Sequence, residues 1–433
     1  MGLPRAFEEG LQTALDKRQQ LGYLFSLAPS IDKSKTVDFG TNDTLSLVSS
    51  GALREEVLRE IERNPGFEVG SCGSRVNEGT PYIAELERYL ARVHRAPDGL
   101  FFSSGYDANS AIYSTLPRDG DAILYDSLVH ASIHDGMKIT RASILKPFDH
   151  NNLVSLHHML GHVKDSSVDI RLGRRTVFIA IESVYSMDGD VAPAKEIVDL
   201  LKADLPHGNF ILIVDEAHSN GLLGPNGAGY ISALGLEKEY AIRLQTCGKA
   251  LGAVGAIVLC DPLVKSMLVG FARMFIFTTA PTFLMAATVK AAYNILSSED
   301  GKLRRLRLQQ NMRYFYELLE RQPQWQLIQQ EGHISLPCAG NWKNAQFLTP
   351  IIPLITKEGK CVDLRNKLRQ ESLSAIAVKF PAVSKDSERV RVVMHADNTE
   401  EQISTLVKTV IDWASSQTLK PEIASSVVLR SRI

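Results

Sequence analysis

Four short apolar runs between residues 100 and 260 constrain the fold of this chain more than any other feature. They occupy residues 122–125, 177–181, 210–214 and 256–259, and each is apolar at successive rather than alternate positions. Strands of that kind are buried on both faces, as in parallel sheets covered by helices. The stretches between them have helical spacing, so the sequence predicts an α/β fold with a mostly parallel sheet. Asp126, Glu182 and Asp215 end three of the runs, at the sheet edge where ligands of such folds bind.

The rest of the chain divides by pattern into further segments. Helical spacing at residues 5–22, 51–63, 81–94 and 284–297 predicts helices, and the first has one apolar face. From residue 301 onward, charged helices alternate with short strands such as residues 390–394. We therefore expect an N-terminal segment at 1–50, a large domain at 51–298, a smaller C-terminal α/β domain at 299–417 and a tail at 418–433.

The composition excludes several classes of protein. The 433 residues are 44% hydrophobic and carry a net charge of −1, so a large core is possible and the charge excess typical of nucleic-acid binding is missing. No apolar run reaches the length of a membrane span. The five cysteines show neither paired spacing nor a zinc-binding pattern, which favours reduced thiols and no metal site.

The two ends of the chain bear on its localisation. The N-terminal pattern is an amphipathic helix with acidic residues, which is not typical of a secretory signal or a transit peptide. The last three residues, Ser431-Arg432-Ile433, resemble the peroxisomal address Ser-Lys-Leu. We expect the protein in the cytoplasm or in peroxisomes.

Lys249 and Asp215 carry the strongest chemical signal. Lys249 stands in a small-residue loop at 246–252, and Asp215 ends an apolar run 34 residues earlier. A pyridoxal phosphate (PLP) enzyme needs both: a lysine amine that forms the Schiff base, and a carboxylate that keeps the pyridine nitrogen protonated so that the ring accepts electrons. Each residue alone has an ordinary explanation, because an Asp at a strand end often caps a helix and Gly-Lys is common in surface turns.

Two other stretches offer contacts for a phosphate group. The small-residue turn Ser104-Gly105-Tyr106 precedes a helical pattern, and the N-terminus of a helix attracts anions. Thr278 and Thr279 offer two hydroxyls for a second phosphate contact. Both features also have structural explanations, since such turns often only cap helices and threonine is ordinary in strands.

Two histidines and a glycine-rich stretch complete this region. His130 has a flat ring that could stack on a cofactor, and His218, three residues after Asp215, could reach its phenolic oxygen. A lone histidine is more often structural. The glycines at residues 221–229 do not open a dinucleotide-binding fold, and we interpret them as a flexible loop beside the site. The spacing before Gly248-Lys249 excludes a Walker P-loop.

Together these stretches resemble the α-oxoamine synthase family of fold-type I PLP enzymes, and in particular its fungal branch. The most specific parts are the Ser-Met-Asp-Gly-Asp run at residues 186–190 and the Thr-x-Gly-Lys-x-x-Gly run at residues 246–252. The other stretches that carry the resemblance are residues 38–43, 70–75, 104–106, 126–132, 182–186, 215–218 and 389–391. The resemblance covers residues 37 to about 415.

The resemblance implies roles for the candidate cofactor residues. Lys249 would form the Schiff base and deprotonate Cα of the amino acid, Asp215 would pair with the pyridine nitrogen, and His130 would stack on the ring. The remaining contacts would come from His218 and Ser186 at the phenolic oxygen, from Ser104, Gly105, Tyr106 and Thr246 at the phosphate, and from Thr278 or Thr279 of a neighbouring subunit. Such sharing implies a homodimer.

The resemblance also implies two substrates, a small amino acid and an acyl thioester on CoA or a carrier. Asn42 and Arg391 would hold the amino-acid carboxylate. Lys379 stands where 8-amino-7-oxononanoate synthases have an arginine, and lysine lacks the bidentate guanidinium. We expect decarboxylative condensation of L-alanine with a pimeloyl thioester, a step of biotin synthesis. Two alternatives stay open: the same reaction on another acyl chain or polyketide thioester in secondary metabolism, and a PLP aldolase or lyase that uses no thioester.

Overall fold

The computed structural model describes residues 2–22, 24, 27, 35–77, 79–340, 342–380 and 382–418. The chain forms two compact units. The larger unit contains Asn42–Gln310 and His395–Asp397, and the smaller contains Met1–Thr41, Asn311–Met394 and Asn398–Ile433. The expected large domain at residues 51–298 falls inside the larger unit.

The described residues form helices and strands that alternate over much of the chain. The helices are α1 (Arg5–Gln20), α2 (Ala52–Arg63), α3 (Pro81–Val93), α4 (Gly105–Thr115), α5 (Ala131–Met137), α6 (Leu153–Ser166), α7 (Val168–Arg171), α8 (Ala194–Asp204), α9 (Tyr230–Leu234), α10 (Pro262–Phe271), α11 (Arg273–Ile276), α12 (Phe283–Leu296), α13 (Glu299–Glu320), α14 (Trp325–Gln330), α15 (Cys361–Gln370) and α16 (Glu400–Thr418). The strands are β1 (Val37–Asp38), β2 (Asp98–Phe102), β3 (Ala122–Asp126), β4 (Ile144–Phe148), β5 (Val177–Glu182), β6 (Phe210–Asp215), β7 (Ile242–Thr246), β8 (Ala256–Cys260), β9 (Ile334–Ser335), β10 (Ile351–Thr356), β11 (Leu373–Ser374), β12 (Ile376–Val378) and β13 (Arg389–Val393).

A seven-stranded sheet in the order β2-β8-β7-β6-β5-β3-β4 forms the centre of the larger unit. Strands β7, β6, β5, β3 and β4 are parallel, and β8 is antiparallel to both of its neighbours. Every residue of β5 and β8 is buried, which is why their sequences are apolar at successive positions. The predicted fold class, a mostly parallel sheet flanked by helices, is confirmed.

Helices α4 and α5 pack against this sheet and complete its hydrophobic core. Tyr113 and Ile133 from the helices, and Leu244 and Val258 from the strands, belong to one buried cluster. Each such side chain contributes about 1.5–3 kcal/mol through its removal from water. Since β2 ends at Phe102 and α4 begins at Gly105, the N-terminus of α4 lies at the carboxyl edge of the sheet.

The smaller unit contains a four-stranded sheet in the order β12-β13-β10-β9, and β1 pairs in parallel with β11. All pairs in the four-stranded sheet are antiparallel. Helix α1 buries none of its residues. None of the described helices, in either unit, is long and apolar enough to cross a membrane.

The glycine-rich stretch at residues 221–229 is closely packed rather than flexible, so that part of our interpretation was wrong. The Gly221 N–H donates to the Gly227 carbonyl at 2.8 Å, and the Gly229 N–H donates to the Leu223 carbonyl at 2.8 Å. Gly229 has φ +103°, and a Cβ there would lie 2.6 Å from a carboxylate oxygen of the buried Glu216. The glycines are therefore required by tight turns and close contacts, not by mobility.

Candidate active site

Asp215 and Glu182 lie side by side at the carboxyl ends of β6 and β5, where the parallel register pairs them directly. Asp215 is 7% exposed and accepts two hydrogen bonds. The Ala217 N–H donates to its Oδ1 at 2.9 Å, and the Asn109 amide donates to its Oδ2 at 2.8 Å. Since both of its oxygens accept a hydrogen bond from a fixed donor, the orientation of this side chain is fixed.

Glu182 is the second carboxyl group of this edge. It is buried, and the His130 backbone N–H donates to it. Burial, with the nearby Asp215 side chain, raises the pKa of Glu182 to about 8, although the Lys249 amine opposes the rise. Glu182 therefore keeps its proton to a higher pH than an ordinary glutamate.

His130 is the N-cap residue of α5, and Ser132 fixes its ring. The ring Nδ1 lies 2.8 Å from the Ser132 hydroxyl and accepts from the Ser132 backbone N–H at 3.2 Å. Partial burial lowers the pKa of His130; the nearby Asp215 carboxylate raises it and the Lys249 amine lowers it further. Because both charges act on the same ring, His130, Asp215 and Lys249 belong to one site.

Lys249 follows β7 in a turn that hydrogen bonds hold in place. The Ala253 N–H donates to the Cys247 carbonyl at 3.0 Å, and the Gly252 N–H donates to the Lys249 carbonyl at 2.8 Å. Gly252 has φ +63°, and a Cβ there would collide with the side chain of Val48. The turn therefore needs glycine at this position, and it leaves Lys249 half-buried at the carboxyl edge of the sheet.

The N-terminus of α4 suits a phosphate group. Ser104 caps the helix by accepting from the Asp107 N–H at 3.0 Å. Gly105, the first helical residue, faces Thr246 at the end of β7, and a Cβ added to it would collide with the Thr246 hydroxyl. Backbone N–H groups, the positive end of the helix dipole and one hydroxyl thus converge at this point.

The loop that carries Ser186 is fixed by His150. The His150 Nδ1 lies 2.9 Å from Asp126, and its Nε2 lies 2.7 Å from Asp190 at the end of the loop. Although burial opposes it, the hydrogen bonds that the ring donates to these two carboxylates raise the pKa of His150 to about 10. A charged imidazole therefore ties the loop at residues 186–190 to the end of β3, and Ser186 itself is half-buried.

Four of the predicted contacts are placed as follows. His218 is 9% exposed in the turn after β6. Tyr106 lies exposed in the first turn of α4, edge-on to the His130 ring with 6.4 Å between centroids, and its hydroxyl donates to Asp135. Thr278 and Thr279 follow the short helix α11 in an exposed turn, so the ordinary explanation of two threonines at a strand end does not apply to them.

A second hydrogen-bonded loop holds that turn. The Ala280 N–H donates to the Gly73 carbonyl at 2.9 Å, and the Ser71 hydroxyl donates to the Ala280 carbonyl at 2.9 Å. These bonds join the turn to the glycine-rich stretch at residues 70–75.

The predicted substrate residues belong to different units. Asn42 is the first residue of the larger unit, whereas Lys379 and Arg391 belong to the smaller unit. Arg391 lies in β13 and is 5% exposed. Burial lowers the pKa of its guanidinium to about 10, so it is charged at neutral pH.

Asn109, Ser132 and Glu182 are site residues to which the sequence alone assigned no role. Asn109 and Ser132 are 2% and 0% exposed, respectively. Their positions in the sequence could have identified them. Asn109 lies one helical turn after Gly105, on the inner face of α4, and Ser132 lies two residues after His130. Glu182 occupies the same strand-end position as Asp215, one strand away.

The chain is similar to known proteins over most of its length. The sequence matches the aminotransferase class I and II family over residues 34–410. The chain belongs to this family. Two fungal relatives are the aminoacyl transferase sphA of Aspergillus fumigatus, 39% identical over 94% of this chain and 87% of that protein, and the 8-amino-7-oxononanoate synthase of Emericella nidulans, 37% identical over 95% and 96%.

Solved structures of class I and II aminotransferase family members agree with this assignment. Serine palmitoyltransferase from S. paucimobilis, solved with a bound compound of PLP and myriocin, has a TM-score of 0.77 and 26% identity over 96% of this chain and 99% of that one. The 8-amino-7-oxononanoate synthase of Francisella tularensis has a TM-score of 0.68 and 28% identity over 89% and 100%. Within the family the chain is therefore a PLP-dependent acyltransferase of the α-oxoamine synthase type.

The residues of the site fit PLP as the cofactor. Gly105 leaves open the space that a Cβ would fill in front of Thr246, Asp215 presents a carboxyl group held by two donors, and Lys249 supplies an amine close enough to His130 and Glu182 to act on both. When bound, PLP withdraws electrons from the Cα atom of the amino acid through its ring. Toward PLP, Lys249 Nζ would be the proton acceptor, Asp215 would provide the counter-charge and His130 would provide the flat surface.

Proposed function

We propose that this enzyme condenses L-alanine with a pimeloyl thioester to give 8-amino-7-oxononanoate. A bond forms between Cα of alanine and the acyl carbon of the thioester, the Cα–carboxylate bond breaks, and CO2 and the free thiol leave. The observation that carries the proposal is the set of Lys249, Asp215 and His130 within one electrostatically connected site. The match to the fungal 8-amino-7-oxononanoate synthase, which covers 95% of this chain and 96% of that protein, supports the choice of substrates.

A second candidate is the same reaction on a longer acyl chain, such as a polyketide thioester in secondary metabolism. The aminoacyl transferases sphA of Aspergillus fumigatus and Byssochlamys spectabilis, 39% and 37% identical, favour it. Lys379 also favours it, because a lysine replaces the arginine expected of an enzyme for 8-amino-7-oxononanoate and cannot bind a carboxylate in a bidentate manner.

Mass spectrometry of the products distinguishes the candidates. The PLP-loaded enzyme is incubated with L-alanine, L-serine or glycine, each with pimeloyl-CoA or palmitoyl-CoA, and free thiol and products are measured. We expect 8-amino-7-oxononanoate and one free CoA per turnover from alanine and pimeloyl-CoA. Turnover of an amino acid with palmitoyl-CoA but not with pimeloyl-CoA supports the second candidate. Turnover of an amino acid without thiol release contradicts both candidates and favours an aldolase or lyase.

Arg391 is the group that we propose to hold the amino-acid carboxylate, together with Asn42 and with Lys379 in a secondary role. Replacing Arg391 with alanine removes the buried guanidinium and with it a charged hydrogen bond to the carboxylate worth about 2–3 kcal/mol. Arg391→Ala is therefore expected to raise the amino-acid KM by about thirtyfold or more, while Lys379→Arg leaves it near the parent value. Unchanged amino-acid KM in Arg391→Ala, with a large rise in Lys379→Ala, would reverse the two roles.

We further propose a homodimer in which each subunit completes the site of the other. Thr278 and Thr279 are exposed although we expect them to contact phosphate. Close to them in sequence, Leu263, Phe271 and Phe277 are 73%, 58% and 71% exposed, respectively. Large apolar side chains exposed together mark surfaces that bind another protein, and a second copy would cover them.

Peroxisomal import through Ser431-Arg432-Ile433 also remains a proposal, because these residues lie outside the part of the chain that the structure describes. A fluorescent protein fused to the N-terminus leaves the tripeptide free. We expect punctate fluorescence that coincides with a peroxisomal marker and becomes diffuse when the three residues are removed. Diffuse fluorescence of the intact fusion would refute import.

A further inference from the structure

A chain of buried polar side chains connects Asp215 to His130. The Asn109 Nδ2 atom donates to Asp215 Oδ2 at 2.8 Å and to Ser132 Oγ at 3.0 Å. The Ser132 hydroxyl is in turn 2.8 Å from His130 Nδ1. Asn109 and Ser132 are 2% and 0% exposed, respectively. Water therefore does not compete for these hydrogen bonds.

The direction of every hydrogen bond in this chain follows from the charge on Asp215. A carboxylate only accepts, so Asn109 must present its NH2 group to it and not its carbonyl oxygen. The second hydrogen of that NH2 group is directed at Ser132 Oγ, which therefore accepts. The hydroxyl hydrogen of Ser132 is then free to point at His130 Nδ1.

The Ser132 backbone gives independent evidence that His130 Nδ1 is a hydrogen-bond acceptor. Its N–H group, which cannot accept, lies 3.2 Å from His130 Nδ1 in the geometry of a donor. A hydrogen on Nδ1 would face this N–H and the hydroxyl hydrogen together. Since a neutral imidazole has one N–H and one acceptor nitrogen, the hydrogen of His130 belongs on Nε2.

We propose that Asn109 and Ser132 are positioning residues through which the Asp215 carboxylate fixes His130 as a neutral imidazole protonated on Nε2. The carboxylate that faces the pyridine nitrogen thereby also sets the tautomer of the stacking ring. An uncharged ring can pack flat on the cofactor without opposing the positive pyridinium. Its Nε2–H remains available as a donor to an oxygen atom of a substrate. The inference concerns the protein's own hydrogen bonds and does not depend on which amino acid or thioester is used.

Nuclear magnetic resonance of ring-15N histidine tests the tautomer directly. The PLP-loaded enzyme is labelled, and the signals of His130 are assigned by subtracting the spectrum of a His130→Asn variant. We expect at pH 7 one protonated nitrogen, Nε2, and one unprotonated nitrogen, Nδ1. A proton on Nδ1, or on both nitrogens, would overturn the proposal. This readout uses the unmodified site, so it decides the question even if a variant fails to fold.

Two variants test the links separately. Ser132→Ala removes one of the two donors to Nδ1 and leaves the backbone N–H, so we expect a minor protonated-Nδ1 signal to appear beside the main one while the dissociation constant of PLP changes less than about threefold. Asn109→Leu removes a donor to a charged group, and we expect it to raise the dissociation constant of PLP about tenfold. Ser114→Ala is the matched control, because Ser114 is on the same helix and its hydroxyl donates to backbone carbonyls of that helix. His130 signals that stay unchanged in Ser132→Ala would contradict the role of Ser132.

Discussion

Lys249 is the single residue whose replacement we expect to alter the enzyme most, because we propose that it provides both the covalent attachment of PLP and the proton acceptor for Cα. Reduction of the loaded protein with borohydride should place the pyridoxyl group on the peptide containing Lys249. Lys249→Ala should lose turnover by a factor of at least about a thousand, whereas Lys238→Ala, at an exposed position, should not. A pyridoxyl group found on another lysine would contradict the site assignment.

Glu182 provides a test at the residue scale that needs no substrate. Its pKa is raised to about 8 in the folded protein, above the ordinary value near 4.5, so the folded state binds a proton that the unfolded state releases. Its contribution to stability is therefore complete below pH 4.5 and is lost as the pH rises through 8. The loss should amount to about a few kcal/mol for this buried group.

Urea unfolding of the PLP-free protein between pH 5 and pH 9 measures this loss. The free energy of unfolding of the parent should decline over this range more than that of Glu182→Gln, whose amide cannot ionise. Parallel pH profiles for the two proteins would show that Glu182 is ionised throughout the range and that its carboxylate is stabilised by Lys249 instead.

At the scale of elements, the junction of β2, α4 and β7 forms the proposed phosphate site. Gly105→Ala would place a methyl group against the Thr246 hydroxyl, and overpacking of this kind costs about 1–3 kcal/mol. We expect weaker PLP binding, by roughly tenfold or more, in a fluorescence titration. Gly161→Ala is the control, because Gly161 lies within α6 and a Cβ there meets nothing within 4 Å. Equal PLP affinity in both variants would remove Gly105 from the phosphate site.

At the scale of the whole molecule, the proposal that two subunits share each active site predicts that two inactive variants regain activity when they form a hybrid dimer. Subunits of 47.8 kDa should sediment as dimers. One variant carries Lys249→Ala, and the other carries Thr278→Ala with Thr279→Ala. In a hybrid dimer, one of the two sites combines the intact Lys249 of one subunit with the intact threonines of the other. Mixing the unfolded variants and refolding them should restore up to about a quarter of the parent activity, since half of the dimers are hybrids with one working site each. No gain over the separately refolded variants would place both contacts within one subunit.

The sequence by itself determined the fold class and the principal chemistry, because both depend on local patterns. Apolar runs at successive positions report strands that are buried on both faces, wherever those strands lie in the sheet. Asp215 and Lys249 could be identified because each occupies a characteristic short stretch at a strand end. Helices α2, α3 and α12 were predicted to within about two residues by their apolar spacing.

Only the tertiary structure decided which side chains meet, because that depends on strand order and register. The sequence predicted that Glu182 and Asp215 end strands, but the pairing of β5 with β6 made them neighbours and so raised the pKa of one of them. Asn109 and His130 lie far apart from Asp215 along the chain and meet it only through the packing of α4 and α5 on the sheet. The packed glycines at residues 221–229 were misjudged for the same reason: local composition favours a mobile loop, whereas hydrogen bonds within the stretch and the buried Glu216 hold it in tight turns.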